Sequence, residues 1–181
     1  MITLEQAIEL AKQAHEGQYE KPKTVVIDLW DCYKVKGPIM HENGNKIQWV
    51  IHDTFLVYEP YITHPLAVME MMDTEEEKIV AVLHDIIEST SAKLEIVFGG
   101  KNSTITYNSI VYELPLTIAL ALHKLTHTNE EAYMDYIQKV VTSKLATKVK
   151  IADIVHNLSE TPSKHTKQKY LKALPILLKG I

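Results

Sequence analysis

The sequence predicts a mainly α-helical fold, a single helical bundle spanning residues 1–181 with two small β-hairpin insertions. Three observations point there. Apolar residues recur at helical spacing between capping residues along most of the chain, whereas β-branched and aromatic runs with turn signals gather in two segments, near 20–58 and 101–113. The length of 181 residues with 46% apolar positions suits one core. No internal repeat or low-complexity linker divides it.

The first helix is announced by Thr3 with Gln6, a capping box, and by Leu4, Ala7, Ile8, Ala11, Ala14 and His15 at helical spacing up to the stop at Gly17. From Thr24 to Tyr58 the runs TVVIDLW, KIQWVI and TFLVY, broken by Gly37-Pro38 and Asn43-Gly44, read as a β-hairpin insertion. Thr63, His64 and Pro65 open a short helix through Met72, proline being suited to a first turn. Thr74 with Glu77 caps EEEKIVAVLHDIIE, which is apolar on most sides in its second half and so belongs at the centre of the bundle. After Gly99-Gly100, STITY and SIVYEL form a second hairpin, and Pro115 precedes the helix LTIALALHKL. Thr128 with Glu131 caps a helix whose apolar set is Ala132, Tyr133, Tyr136, Ile137, Val140 and Val141. Ser143 caps KLATKVKIADIVHNL, and Thr166 begins a last helix in which Pro175 predicts a kink or an early end.

Charge and composition exclude several classes. With 23 acidic against 19 basic residues there is no overall positive field to hold duplex nucleic acid or an anionic membrane, although a local basic pocket for a small phosphate ligand stays open. No apolar run is long enough to span a bilayer or act as a secretory signal, and the single cysteine, Cys32, cannot pair within the chain, so the expected location is the reducing cytoplasm. The sequence leaves the oligomeric state open. Nine histidines, several beside carboxylates, are a first sign of metal chemistry.

On a continuous helix His84, Asp85 and Glu88 share one arc, with Ile79, Val82, Leu83 and Ile86 on the other side. Ionisable groups in so apolar an element need a partner. A divalent cation is one; a hydrogen-bonded histidine beside a salt-bridged aspartate is the other. Lys150, Asp153 and Asn157 likewise share a face, which by itself also reads as a solvated stripe. His64 beside Pro65 alone reads as packing or capping. Together, imidazoles and carboxylates from three helices suit manganese, iron, zinc or magnesium with positions open for water, the equipment of phosphoester hydrolysis.

The stretches AHEGQ (14–18), EPYITHPLAV (59–68), AVLHDIIEST (81–90) and KVKIADIVHNL (148–158), in that order, resemble the hydrolase domain of the RelA/SpoT alarmone enzymes and their small stand-alone relatives, within the HD superfamily of metal-dependent phosphohydrolases. The resemblance covers most of the helical core. It implies an HD-type bundle in which His64, His84, Asp85 and Asp153 hold one divalent ion, manganese first, and an activity that removes the 3′-pyrophosphate of guanosine tetra- or pentaphosphate. Glu88 is the candidate carboxylate for accepting or orienting the attacking water's proton. Asn157 is carried over as a contact to substrate sugar or phosphate and Lys150 as a phosphate partner, with Lys124 a further basic candidate.

The chain departs from that family at three places. Ser89 stands where the family has an aspartate after the glutamate, and its hydroxyl is no base at neutral pH. The family's short basic loop is replaced by the insertion from about Glu20 to Tyr58, expected to form a β-rich flap near the metal cleft; Lys21 and Lys23 survive near its start, Lys21 as a candidate nucleotide contact. Ile154 occupies the position of a common arginine. An HD phosphohydrolase for another nucleotide or phosphoester, and a non-catalytic metal- or nucleotide-binding module, are therefore carried as alternatives.

Overall fold

The computed structural model describes residues 1–20, 23–28, 52–57, 59–99, 102–160 and 162–181. The chain divides into two compact units, one made of Met1–Gln18 with Tyr61–Ile181 and the other of Tyr19–Pro60.

The larger unit is built on helices, as expected. Its first helix, α1 (Leu4–Ala14), has the anticipated capping box between Thr3 and Gln6, and the chain leaves it through Gly17 at φ 75°, where a Cβ would be strained. Next come α2 (Thr63–Glu70), α3 (Glu75–Leu83) and the single turn α4 (Ile86–Ser89). A three-stranded antiparallel sheet follows, β3 (Lys93–Glu95), β4 (Ser103–Tyr107) and β5 (Ile110–Leu114), in that order. Its β4–β5 turn is Asn108-Ser109, both at positive φ, the conformation a two-residue hairpin requires. The hairpin was legible in the sequence; β3, three residues long, was not.

The remaining helices are α5 (Leu116–Leu125), α6 (Tyr133–Val141), α7 (Lys144–Ser159) and α8 (Lys164–Leu178). Two boundaries differ from the sequence reading. Thr128 does not cap α6, whose N-cap is Ala132 with no side-chain bond, and α8 is capped by Ser163 rather than begun at Thr166. Nor does Pro175 end α8, which runs on to Leu178. The carbonyl that proline leaves without an amide is that of Leu171, on the exposed side of the helix, where water can satisfy it.

The core explains why α3 is central. Ile79, Val80, Ala81, Val82 and Leu83 are all buried, so the helix has no solvated side in its last turns, and it packs against α1, α2, α5 and α7. Each large member of that run contributes about 1.5–3 kcal/mol on burial. Helix α7 in turn packs against α2, α3, α5, α6 and α8. Thus α2, α3 and α7 touch one another pairwise, and polar side chains on their facing sides are brought together.

An ion-pair fork fixes α7 to the start of α3. Lys148 Nζ lies 2.7 Å from Asp73 Oδ2 and 2.8 Å from Glu77 Oε1. Burial alone would raise the Glu77 carboxyl, but hydrogen bonds from Lys148 and from the Thr74 and Asp73 amides outweigh it and hold the group below its usual value. A depressed folded value stabilises above the unfolded value and is lost as pH falls through the folded one. Lys148→Ala is therefore expected to lower the urea midpoint at pH 7, with the gap to wild type closing in acid; a gap that stays constant to pH 3 would contradict the linkage.

In the smaller unit, β1 (Lys23–Asp28) pairs antiparallel with β2 (His52–Val57), from Lys23 opposite Val57 to Asp28 opposite His52. The bridge Tyr19–Pro60 and a 2.9 Å bond from the Glu20 amide to the Glu59 carbonyl continue the pairing. Residues 24–28 of the expected run TVVIDLW and 54–57 of TFLVY thus supply a hairpin, while Lys21, Leu29, Trp30, Tyr58, the Asn43-Gly44 turn and the run KIQWVI lie outside the described residues. Among the described residues no helix is long and apolar enough to cross a membrane.

Candidate metal centre

His64 is presented by the first turn of α2, where Pro65 costs nothing because first-turn amides have no intrahelical acceptor. His84 and Asp85 sit where α3 ends. The sequence reading carried one helix through this pair; instead the helix breaks there, with Asp85 at φ −98°, ψ −5°, and resumes as α4. The break has a local cause in His84. Its Nδ1 lies 2.7 Å from the Ala81 carbonyl, the acceptor that Asp85's amide would use in an unbroken helix. Asp153 comes from the middle of α7, four residues before Asn157.

The four side chains converge. Donor atoms of His64, His84 and Asp85 all lie within 4.8 Å of one another. Asp153 joins them through Oδ1, which is 3.1 Å from His64 Nε2 and 3.7 Å from His84 Nε2. Asp85 Oδ2 is 3.2 Å from His84 Nε2 and 3.7 Å from His64 Nε2. His64, His84 and Asp153 are buried, at 5%, 2% and 4% exposure, which is where ionisable groups need compensation.

Each of these groups is held from behind. His64 Nδ1 is 2.9 Å from His156 Nδ1, and His84 Nδ1 is engaged by Ala81, so both imidazoles turn Nε2 toward the carboxylates. The Tyr61 hydroxyl donates to Asp85 Oδ2 at 2.5 Å. Asn157 Nδ2 donates to Asp153 Oδ1 at 2.5 Å and to the Asp153 carbonyl at 2.9 Å, and Lys150 Nζ binds Asp153 Oδ2 at 2.7 Å. Lys150 and Asn157, expected to face the substrate, thus act first on Asp153.

The electrostatics call for positive charge. Burial would push His84 down, but Asp85 and Asp153 outweigh it and raise the imidazole to about 10. Burial would raise the two carboxyls, yet the His84 imidazole for Asp85, and Lys150 with the histidines for Asp153, hold both below the usual carboxylate range. Even so, His84 Nε2 is fully buried and makes no hydrogen bond among the described residues. An orphaned, correctly oriented imidazole nitrogen facing two ionised carboxylates fits a divalent cation, and a set of two nitrogens and two oxygens suits manganese, iron or zinc.

Glu88 and Ser89 lie on α4. The Glu88 carboxylate accepts the His127 amide, and burial, assisted by the nearby Asp85 charge, moves it above its usual value despite that bond. The Ser89 carbonyl takes a 2.9 Å bond from Gln18 Nε2, and its hydroxyl bears on the Tyr61 phenol. Lys124 is turned to Thr142 Oγ1 at 2.5 Å, and no contact among the described residues brings it to the cluster.

Sequence reasoning missed Tyr61 and His156. The signal was spacing: Tyr61 is three residues before His64, and His156 three after Asp153. It also missed what the AHEGQ stretch does. His15 Nδ1 pairs with Gln18 Oε1 at 2.8 Å, the His15 ring packs 4.9 Å from that of Tyr61, and Gln18 also accepts the Tyr61 amide on its carbonyl at 2.9 Å. The motif is thus a brace for the residue that bonds Asp85.

No family model matches the chain, and no curated protein matches it by sequence. A solved structure of a metazoan ortholog of SpoT, described as hydrolysing ppGpp and playing a role in starvation responses, is similar with a TM-score of 0.56 at 16% identity, over 98% of this chain and 84% of that one. The chain shares the fold of that structure, mostly helical with small β insertions.

Proposed function

We propose that this protein is a metal-dependent HD phosphohydrolase acting on a nucleotide, with removal of the 3′-pyrophosphate from a guanosine 3′,5′-bis(diphosphate) as its first reading. The observation that carries it is the convergence of His64, His84, Asp85 and Asp153 around an unsatisfied His84 Nε2. The similar metazoan hydrolase supports the substrate class.

These four residues would hold one divalent ion, manganese first, which when bound supplies Lewis acidity to a phosphoryl oxygen and to water. The chain's own groups do the rest. His156, Tyr61 and Asn157 keep the donors oriented, so that little reorganisation accompanies binding. Glu88 takes the water's proton; its elevated value brings it closer to neutral pH, which favours a base. Lys150 offsets Asp153's charge while remaining beside the centre to meet phosphate.

Ser89, in place of a second carboxylate, favours a second reading: an HD phosphohydrolase whose nucleotide differs from the alarmone. The deciding experiment is a screen of manganese-loaded protein against guanosine tetraphosphate, nucleoside mono-, di- and triphosphates and a generic phosphodiester. Cleavage of guanosine tetraphosphate ahead of the others is the expected result. Faster cleavage of another phosphoester selects the second reading, and no cleavage of any leaves a binding module.

A further inference from the structure

We propose that Lys139 is a positioning residue for Glu88, acting through the α5–α6 loop that lies between them. The catalytic meaning of that position rests on the phosphohydrolase reading; the clamp itself rests on the contacts that follow.

The loop leaves α5 at Leu125 and enters α6 at Tyr133, with no helix or strand of its own. Carbonyls at and beyond the end of α5 lack helical amide partners and need donors from elsewhere. Helix α6 supplies them: the Tyr136 hydroxyl donates to the Leu125 carbonyl at 2.6 Å, and Lys139 Nζ donates to the Thr126 carbonyl at 2.9 Å. The same ammonium reaches the far end of the loop, where it lies 2.7 Å from Glu131 Oε2. Glu131 in turn accepts His127 Nε2 on its own carbonyl at 2.9 Å, and the His127 ring packs 4.8 Å from that of Tyr136. Held in this way on both sides, His127 donates its amide to the Glu88 carboxylate.

What the clamp does follows from the geometry of a carboxylate. Glu88 is a long side chain on the single turn α4, so its carboxylate takes its direction from the partner it bonds. A backbone amide is a directional donor, and one carboxylate oxygen engaged by it leaves the other to face the water. A base displaced by about 1 Å can lose on the order of 100-fold in rate although no reacting group is missing. Lys139 suits the task because one ammonium carries several donors, here divided between a carbonyl at one end of the loop and a carboxylate at the other. The pair keeps 27% of the Lys139 side chain and 23% of the Glu131 side chain exposed, so its worth to global stability is small and its effect falls on placement.

The test compares wild type with Lys139→Met, which keeps the stem and removes the donors, Lys139→Arg, which keeps charge and donors, and Lys139→Met combined with Glu88→Gln. Thermal melts establish that each variant is folded. On the best substrate of the manganese-loaded screen, Lys139→Met should lower kcat by about 10–100-fold, with KM within about twofold of wild type and metal content unchanged. Lys139→Arg should recover most of that loss, and Glu131→Gln, which weakens the clamp from the loop's side, should move kcat in the same direction by less. In the Glu88→Gln background Lys139→Met should cost no more than about twofold, because a clamp that acts through Glu88 has nothing left to position. Equal losses in both backgrounds, or an unchanged kcat in Lys139→Met, overturn the proposal. A second readout needs no turnover: exchange of the His127 amide with solvent, followed by NMR, should be about tenfold faster in Lys139→Met and near wild type in Lys139→Arg. Unaccelerated exchange in Lys139→Met overturns the clamp whatever the activity. Accelerated exchange in a protein that cleaves nothing in the substrate screen retains the Lys139 clamp on Glu88 and loses the phosphohydrolase reading.

Discussion

His84→Ala and Asp153→Ala are each expected to purify with little or no divalent metal and to lose hydrolysis altogether. Both delete a donor from a set whose atoms stand 3.1–3.7 Å apart and whose charges are unbalanced without a cation. The two variants should differ in stability. Asp153 also neutralises Lys150, a largely buried cation with 14% of its side chain exposed, so removing the aspartate strands that charge and costs about 3–5 kcal/mol. His84→Ala takes from Asp85 the imidazole that holds its carboxyl low, but leaves it the Tyr61 hydroxyl and the His64 imidazole, so its cost should be smaller. Variants one layer out should act more gently: Tyr61→Phe and His156→Phe each remove one orienting bond, for which about 10–100-fold in metal affinity is typical. Elemental analysis with competitive chelation measures the series. Full, stoichiometric metal in both His84→Ala and Asp153→Ala would overturn the centre, whatever their activity.

What could be read in advance followed from periodicity and local chemistry. Capping pairs such as Thr3–Gln6 and Thr74–Glu77 act within four residues, so they are visible in sequence and recur in the structure as reciprocal bonds. The grouping of His64, His84, Asp85 and Asp153 comes from the resemblance of four ordered motifs, since His64 by itself reads as packing or capping and the Asp153 face as a solvated stripe. The break between α3 and α4 was not legible, since it depends on His84 bonding the Ala81 carbonyl in competition with a backbone amide, and periodicity cannot arbitrate between the two. Partner choice was equally hidden. Lys150 and Asn157 share a face with Asp153 in any helix, but whether they turn to substrate or to Asp153 depends on burial by α6 and α8, which comes from tertiary packing. The same holds for Lys139, whose partners at Thr126 and Glu131 come from the fold of the α5–α6 loop.

Glu88→Gln is expected to reduce turnover on the best substrate by roughly 10²–10⁴-fold, the usual worth of a positioned general base, with metal content unchanged. Glutamine keeps an oxygen to accept the His127 amide, so the α4 contact survives while the proton acceptor is removed. The pH profile gives an independent check. Burial raises the Glu88 carboxyl, and a base works only when ionised; the acid limb of the wild-type rate should therefore lie above the ordinary carboxylate range, and any residual rate in Glu88→Gln should lack that limb. Ser89→Asp then separates the two substrate readings. Residue 89 is exposed and its hydroxyl bears on the Tyr61 phenol that bonds Asp85, so an aspartate there adds a second carboxylate next to the centre at the cost of repulsion with Asp85. If the chain is an attenuated alarmone hydrolase, the second carboxylate raises the rate on guanosine tetraphosphate. If it is adapted to another phosphoester, Ser89→Asp brings no gain on guanosine tetraphosphate and the wild type outperforms it on the preferred substrate. A Glu88→Gln protein with wild-type turnover and an unchanged acid limb would show that the proton goes elsewhere and that Glu88 serves only to hold the His127 loop against α4.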